Sequence, residues 1–165
     1  MIEAQVDLWD EPADAKCITT NGFIKKNGHL VMGVGVAGQA QSRYPNFPKI
    51  AGRAVKNYGN MVLAFHSSTL RTNTMFDPVE EMWYITFPVK HNWYEDADLE
   101  LIKCSARQLM GMLNEPGSLM KATFKKVLLP RPGCGNGHLE WEDVKPVIEP
   151  ILDDRIWVIH TTGSF

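Results

Sequence analysis

Short apolar runs alternate with longer amphipathic stretches along the 165-residue chain, and that alternation predicts an α/β fold. Six runs read as strands: 3–9 (EAQVDLW), 15–20 (AKCITT), 60–67 (NMVLAFHS), 82–89 (MWYITFPV), 125–130 (KKVLLP) and 155–161 (RIWVIHT). Several are continuously apolar, as strands covered on both faces tend to be. In 96–113, Leu99, Ile102, Ala106, Leu109 and Leu113 recur at three- and four-residue spacing, with Asp96 or Asp98 as cap, which predicts a helix. A second helix, 140–152, carries acids in its first turn, where the helix dipole favours them, and Pro146 and Pro150 shorten or kink it. Pro45 and Pro48 split a third helical region, 34–58, into two pieces. The economical architecture is one domain over 1–165, with crossover helices on a mixed, largely parallel central sheet in a three-layer α/β/α stack. Such sheets bind ligands beyond the carboxyl ends of their strands.

Composition adds mainly exclusions. No apolar stretch approaches the roughly 20 residues that span a bilayer, so no membrane role is expected. The N-terminal MIEAQVDLWDEP has neither the basic start nor the apolar stretch of a secretory signal, so a cytoplasmic protein with reduced Cys17, Cys104 and Cys134 is expected. A formal net charge of −2 argues against tight nonspecific nucleic-acid binding. Lys25-Lys26 and Lys125-Lys126 read as solvated faces and strand ends, although Lys25, Lys26, Arg43, Arg53 and Arg71 leave room for a local basic patch. The five histidines form no H-E-x-x-H and no zinc-like spacing with cysteine, so neither a metal nor another cofactor is expected.

Two glycine-rich segments carry candidate chemistry: LVMGVGVAGQAQSRY (30–44) and PRPGCGNGHLEW (130–141), each leading into a helix. Glycine lets backbone N–H groups approach a ligand closely, and with a helix N-terminus this makes an anion site. Two such loops can embrace a diphosphate. Neither has the full dinucleotide-binding glycine spacing or the G-K-[ST] ending of a nucleotide phosphate loop. Cys134 lies beside a helix start that can lower a thiol pKa, but no pattern pairs it with a histidine, so it reads as a small residue in a tight loop.

In their order along nearly the whole chain these pieces resemble the macrodomain family, modules that bind ADP-ribose. Asp7 and Asn21 in VDLWDEPADAKCITTN keep the family's fourteen-residue spacing, Met32-Gly33-Val34-Gly35-Val36-Ala37 looks like M-G-x-G-I-A, and PRPGCG with the following W-E-x-V helix looks like P-R-I-G-C-G. ITFPVKHNWYEDADLELIKCSARQL (85–109) resembles the F-P-T-K-x-H-W-R region of DarG-type DNA ADP-ribosyl glycohydrolases, with terminal ADP-ribose protein glycohydrolase a more distant cousin. The resemblance implies that Asp7 bonds the adenine amino group and that Leu8 offers an adjacent N–H. It implies that Met32, Gly33, Val34, Gly35, Val36 and Ala37, with Pro132, Gly133, Cys134, Gly135, Asn136 and Gly137, wrap the diphosphate and distal ribose. It also makes Lys90 the catalytic candidate, with Asn21 orienting the ribose hydroxyls.

The implied activity is removal of ADP-ribose from a modified macromolecule, a DNA base or a protein side chain. Lys90 acts either as a neutral nucleophile on the anomeric carbon or as a cation stabilising charge on the departing group. Asn21 has an equally good reading as a loop cap before Gly22. The distant cousin has an acid in its second loop, whereas this chain has Asn136-Gly137-His138 and no carboxylate, which favours a noncatalytic ADP-ribose reader as the alternative. Dephosphorylation of ADP-ribose-1''-phosphate is the third reading. About ten extra residues, 22–31, precede the first glycines and offer a lid or a target contact. Trp93 reads either as a base-stacking residue or as packing at a helix start. The expected working form is a monomeric bare macrodomain in a cytoplasm, the host's if the source is a virus.

Overall fold

The computed structural model describes residues 1–72, 75, 78 and 80–161. Its strands are β1 (Ile2–Gln5), β2 (Ala15–Thr20), β3 (Leu63–His66), β4 (Trp83–Pro88), β5 (Val127–Pro130) and β6 (Ile156–His160). Its helices are α1 (Gly35–Arg43), α2 (Phe47–Tyr58), α3 (Ser67–Leu70), α4 (Leu99–Asn114), α5 (Leu119–Thr123) and α6 (Trp141–Ile148). The sheet order is β1-β6-β5-β2-β4-β3, parallel throughout except for the antiparallel β3–β4 pair.

Side chains alternate across each strand, and the two faces feed two cores. Ala15, Cys17, Ile85, Phe87, Val127, Leu129, Ile156 and Val158 pack with Ile102, Leu109 and Leu113 of α4 and Val144 and Ile148 of α6. Ile18, Tyr84, Leu128 and Ile159 point the other way, onto Ala37 and Ala40 of α1 and Phe47, Ala51 and Val55 of α2. The result is the expected three-layer α/β/α stack, whose central strands are apolar on both faces because both are covered.

Several boundaries differ from the sequence expectation for local reasons. β1 stops at Gln5 because one Asp7 carboxylate oxygen accepts from the Trp9 N–H at 2.8 Å and the Asp10 N–H at 3.3 Å, turning the chain. The 60–67 run shrinks to Leu63–His66, and Ser67 opens α3, where the His66 ring accepts from the Ser68 N–H. Pro45 separates α1 from α2, but Pro48 sits in the first turn of α2, where its missing N–H costs nothing. Asp98, not Asp96, caps α4 by accepting from the Glu100 N–H at 2.9 Å. α6 ends at Ile148, before Pro150.

The extra 22–31 segment is an ordered hairpin. Ile24 and Leu30 form an antiparallel bridge, and the Lys25 N–H donates to the His29 carbonyl at 2.8 Å. It lies across α2 at Gly52, where the Leu30 N–H reaches the Pro48 carbonyl at 2.9 Å. A Cβ on Gly52 would meet the Gly28 carbonyl oxygen and stand 2.7 Å from the Leu30 nitrogen. Alanine there gains helix propensity of about 1 kcal/mol but forces backbone apart. Gly52→Ala is therefore expected to destabilise the protein by about 1–3 kcal/mol in denaturant titration. Gly111→Ala in α4, where an added Cβ meets nothing within 4 Å, is expected to stabilise it by up to about 1 kcal/mol.

Candidate active site

The parallel strands all deliver their carboxyl ends to one edge of the sheet, and the sequence candidates gather there. β1 leads to Asp7 and Leu8, β2 to Asn21, β4 to Lys90, and β5 to the loop 131–139. The antiparallel β3 enters from this edge and adds Asn60, which sequence reasoning missed. Its amide Nδ2 donates to the Lys90 carbonyl at 3.0 Å. A Cβ on Gly22 would overlap the Asn60 amide at 2.7 Å, so glycine at 22 makes room for this contact.

The two glycine loops meet across the edge. A Cβ on Gly35, whose φ is +60°, would stand 2.8 Å from the Asn136 amide nitrogen. Helix α1 begins at Gly35 with Val34 as its N-cap and no side-chain cap, so its first N–H groups lack the usual acceptor. Among the described residues, the backbone N–H groups of Gly35, Val36, Ala37, Gly135, Asn136 and Gly137 have no hydrogen-bond acceptor. Added Cβ atoms at Gly33 and Gly135 would meet nothing within 4 Å, so both loops are open to close approach from outside. Uncommitted donors on two facing loops, one at a helix N-terminus, form a cradle for an extended anion. Met32, Ala37, Pro132, Gly133 and Gly137 are buried and anchor the cradle, while Gly33, Val34, Gly35, Gly135 and Asn136 form its exposed rim. Val36 and Cys134 lie half-buried between them.

Lys90 stands at one wall of the cradle. Its Nζ donates to the Asn136 carbonyl at 2.8 Å and to the Trp93 carbonyl at 3.4 Å. The next residues of the second loop are tied to the same segment: the Ala97 N–H donates to the Gly137 carbonyl at 3.0 Å, and His138 Nδ1 lies 2.8 Å from Asp96 Oδ1. The loop that has no carboxylate in sequence acquires one in space, forty-two positions away. His138 takes a positive φ of 63° to reach it. His91 pairs with Asp98 at 2.8 Å, which holds the Asp98 carboxyl below its usual range.

Other candidates are partly committed. One Asp7 oxygen holds the turn after β1, and the other has no partner among the described residues. Leu8 beside it is buried. The Asn21 amide closes the hairpin, donating to the Val31 carbonyl and accepting from the Phe23 N–H, each at 2.9 Å. Arg131, between the two prolines of PRPGCG, stacks 4.7 Å from the centroid of the Trp141 ring and pairs with Glu3, so it braces the loop from behind. Among the described residues no group of three His, Cys, Asp or Glu could hold a metal ion, and no helix is long and apolar enough to cross a membrane.

Burial pushes the Cys134 thiol up to about 11, and it pushes the fully buried Cys17 further in the same direction. Cys104 is exposed. Thiolate is the reactive form. Iodoacetamide at pH 7.5 is therefore expected to label Cys104 first, Cys134 at least tenfold more slowly, and Cys17 only on unfolding, as read by peptide mass spectrometry.

No protein-family model matches the chain. It is 27% identical over 161 residues, 92% of its length, to a DNA ADP-ribosyl glycohydrolase of Thermus aquaticus, and 29% identical over 119 residues to one from Mycobacterium tuberculosis. The chain spans 39% and 30% of the lengths of those relatives. Its fold superposes on the macrodomain of M. tuberculosis DarG with a TM-score of 0.70 at 26% identity, covering 96% of this chain and 95% of that one. Thermosipho africanus DarTG in complex with ADP-ribose gives a TM-score of 0.70 at 17% identity, over 96% of this chain and 40% of that one. With the uncapped glycine loops, the strand-end lysine and the sheet order all in place, the chain has the macrodomain fold and is similar to the DarG-type macrodomains.

Proposed function

We propose that the cradle holds the diphosphate of ADP-ribose and that the protein hydrolyses the bond between the distal ribose and a modified macromolecule, with a nucleic-acid base as the preferred target. The observation that carries this reading is Lys90, whose Nζ lies 2.8 Å from the carbonyl of Asn136, inside one of the two loops that form the cradle. The names of the relatives, DNA ADP-ribosyl glycohydrolases, support the reaction class.

The unpartnered N–H groups take the phosphate oxygens, where they replace water without having to reorganise. The second Asp7 oxygen, at the end of β1, suits the adenine amino group. In the reaction the glycosidic bond at the anomeric carbon breaks, water adds hydroxide to that carbon, and the departing base takes a proton. An ammonium has three N–H donors, of which Lys90 gives two to carbonyls. The third is left for the substrate. As a cation Lys90 would orient the ribose and stabilise charge on the leaving group, whereas a neutral amine would keep its two N–H bonds to the carbonyls and turn its lone pair to the anomeric carbon. Asn21 and Asn60 act behind it, one shaping the hairpin base and the other holding the Lys90 backbone. The reading requires no metal or organic cofactor, and a monomer in the cytoplasm satisfies it.

Incubation with an ADP-ribosylated thymidine oligonucleotide, an ADP-ribosylated protein and ADP-ribose-1''-phosphate, with products followed by mass spectrometry, tests this. Free ADP-ribose is expected from the oligonucleotide, with turnover reduced about 10²–10³-fold in Lys90→Ala while ADP-ribose affinity changes only a few-fold. Lys90→Arg is expected to restore little, because a planar guanidinium cannot reproduce two converging carbonyl contacts and a third donor from one nitrogen. Binding without turnover would make the protein a reader, and release of phosphate alone would make it a phosphatase.

A further inference from the structure

Net charge conceals a strong asymmetry. Between Ala15 and Phe76 the chain has eight Lys or Arg and not one Asp or Glu, although the whole protein carries a formal −2. Lys16 from this span is buried and bonded to the Trp9 carbonyl, Arg43 covers the Trp9 ring, and Arg71 pairs with Glu81. The other five, Lys25 and Lys26 on the hairpin and Lys49, Arg53 and Lys56 on α2, are exposed. None of the five forms an ion pair among the described residues. The spacing of 49, 53 and 56 puts the last three on one face of α2, over about 10 Å of helix. The hairpin crosses that helix at Gly52, beside Arg53, so the five cations lie on adjoining elements.

The same hairpin reaches the wall that carries Lys90. Phe23 stands edge-on to Tyr94 at 6.4 Å, and Tyr94 edge-on to Trp93 at 5.5 Å. Trp93 is 53% exposed and Tyr94 64% exposed, and the Trp93 carbonyl is one of the two that hold the Lys90 ammonium. Exposed neighbouring rings are unfavourable in water, and their faces suit unpaired bases. Backbone-tracking cations beside stacking rings are the two components of single-strand recognition.

We infer that the hairpin and the exposed face of α2, with Trp93 and Tyr94, form a docking surface for the single-stranded nucleic acid on either side of the modified nucleotide. The phosphates run over Lys25, Lys26, Lys49, Arg53 and Lys56, and the flanking bases stack on the two rings. This rests on the nucleic-acid reading of the cleft. A segregated basic face acts locally, within about a Debye length of 10 Å, so a net charge of −2 does not by itself oppose it, and the exposed Glu95 and Asp96 beside the rings are engaged by Asn92 and His138.

The test measures anisotropy of a fluorescent unmodified mixed-sequence 12-mer, as single strand and as duplex, across a salt series, with calorimetric titration of ADP-ribose alongside. Lys25→Glu with Lys26→Glu is expected to weaken single-strand binding about tenfold and to reduce the salt slope by about 1.4. Tyr94→Ala is expected to weaken it about tenfold with the slope unchanged. ADP-ribose affinity is expected to hold in both. Lys103→Glu with Lys121→Glu, on the helices of the opposite layer, is the charge-matched control and is expected to change nothing. Strand binding that survives the hairpin reversal, falls equally in the control, or is as tight for the duplex would overturn this surface while ADP-ribose binding leaves the cleft reading intact. Binding to anionic lipid vesicles but not to the oligonucleotide would overturn it as well. Failure of the wild-type protein to bind ADP-ribose would instead remove the cleft reading itself.

Discussion

The parallel pairing of Ala15–Thr20 with Trp83–Pro88 is the constraint that the rest of the site depends on. It runs for six residue pairs in the interior of the sheet, covered by helices on both faces, and its hydrogen bonds continue past both strands as the Val89 and Lys90 N–H groups donate to the Thr20 carbonyl. Parallel strands end on the same side, so this one ladder sets Asn21 beside Lys90. Each then holds a different loop: Asn21 closes the hairpin and Lys90 grips the carbonyl of Asn136. Moving the register by one residue would exchange the two cores and point the site side chains at the wrong faces.

Around that ladder the protein keeps backbone donors unsatisfied at the surface and supplies a fixed cation beside them. Val34 is a poor N-cap, and the absence of a capping side chain leaves the first turn of α1 available to a ligand. Glycines at 35 and 133 adopt positive φ, and the one at 137 could not carry a Cβ without meeting the Gly133 carbonyl and Ala97. These features weaken the loops as isolated structures. They are stabilised by the bonds from Lys90, Ala97 and Asp96 to three successive residues of the second loop.

Charge is organised in the same directional way. The acid-free span from β2 through α2 builds the hairpin, the first glycine loop and the helix beneath them, so all the basic character of that half lies on one layer of the sheet. Acids lie outside that span, with Glu140, Glu142 and Asp143 grouped at the start of α6 in the opposite layer. A protein with slightly negative net charge can thus present a positive face next to an anion cradle, and the hairpin is the element that joins the two.

By itself the sequence determined what depends on neighbouring residues. Apolar runs marked the strands, three- and four-residue spacing marked α4, and glycines before helix starts marked both loops, because periodicity and φ permissiveness are local properties. The short α3 and α5 escaped, since four and five residues are too few to show a period. Only the tertiary structure decided that β3 runs antiparallel and brings Asn60 under Lys90, that Asp96 supplies His138 with a carboxylate, and that Arg131 braces Trp141 instead of facing the cradle. Each of those contacts joins residues distant in the chain, and which distant groups meet is set by sheet order and loop packing, for which no neighbouring residue carries a signal.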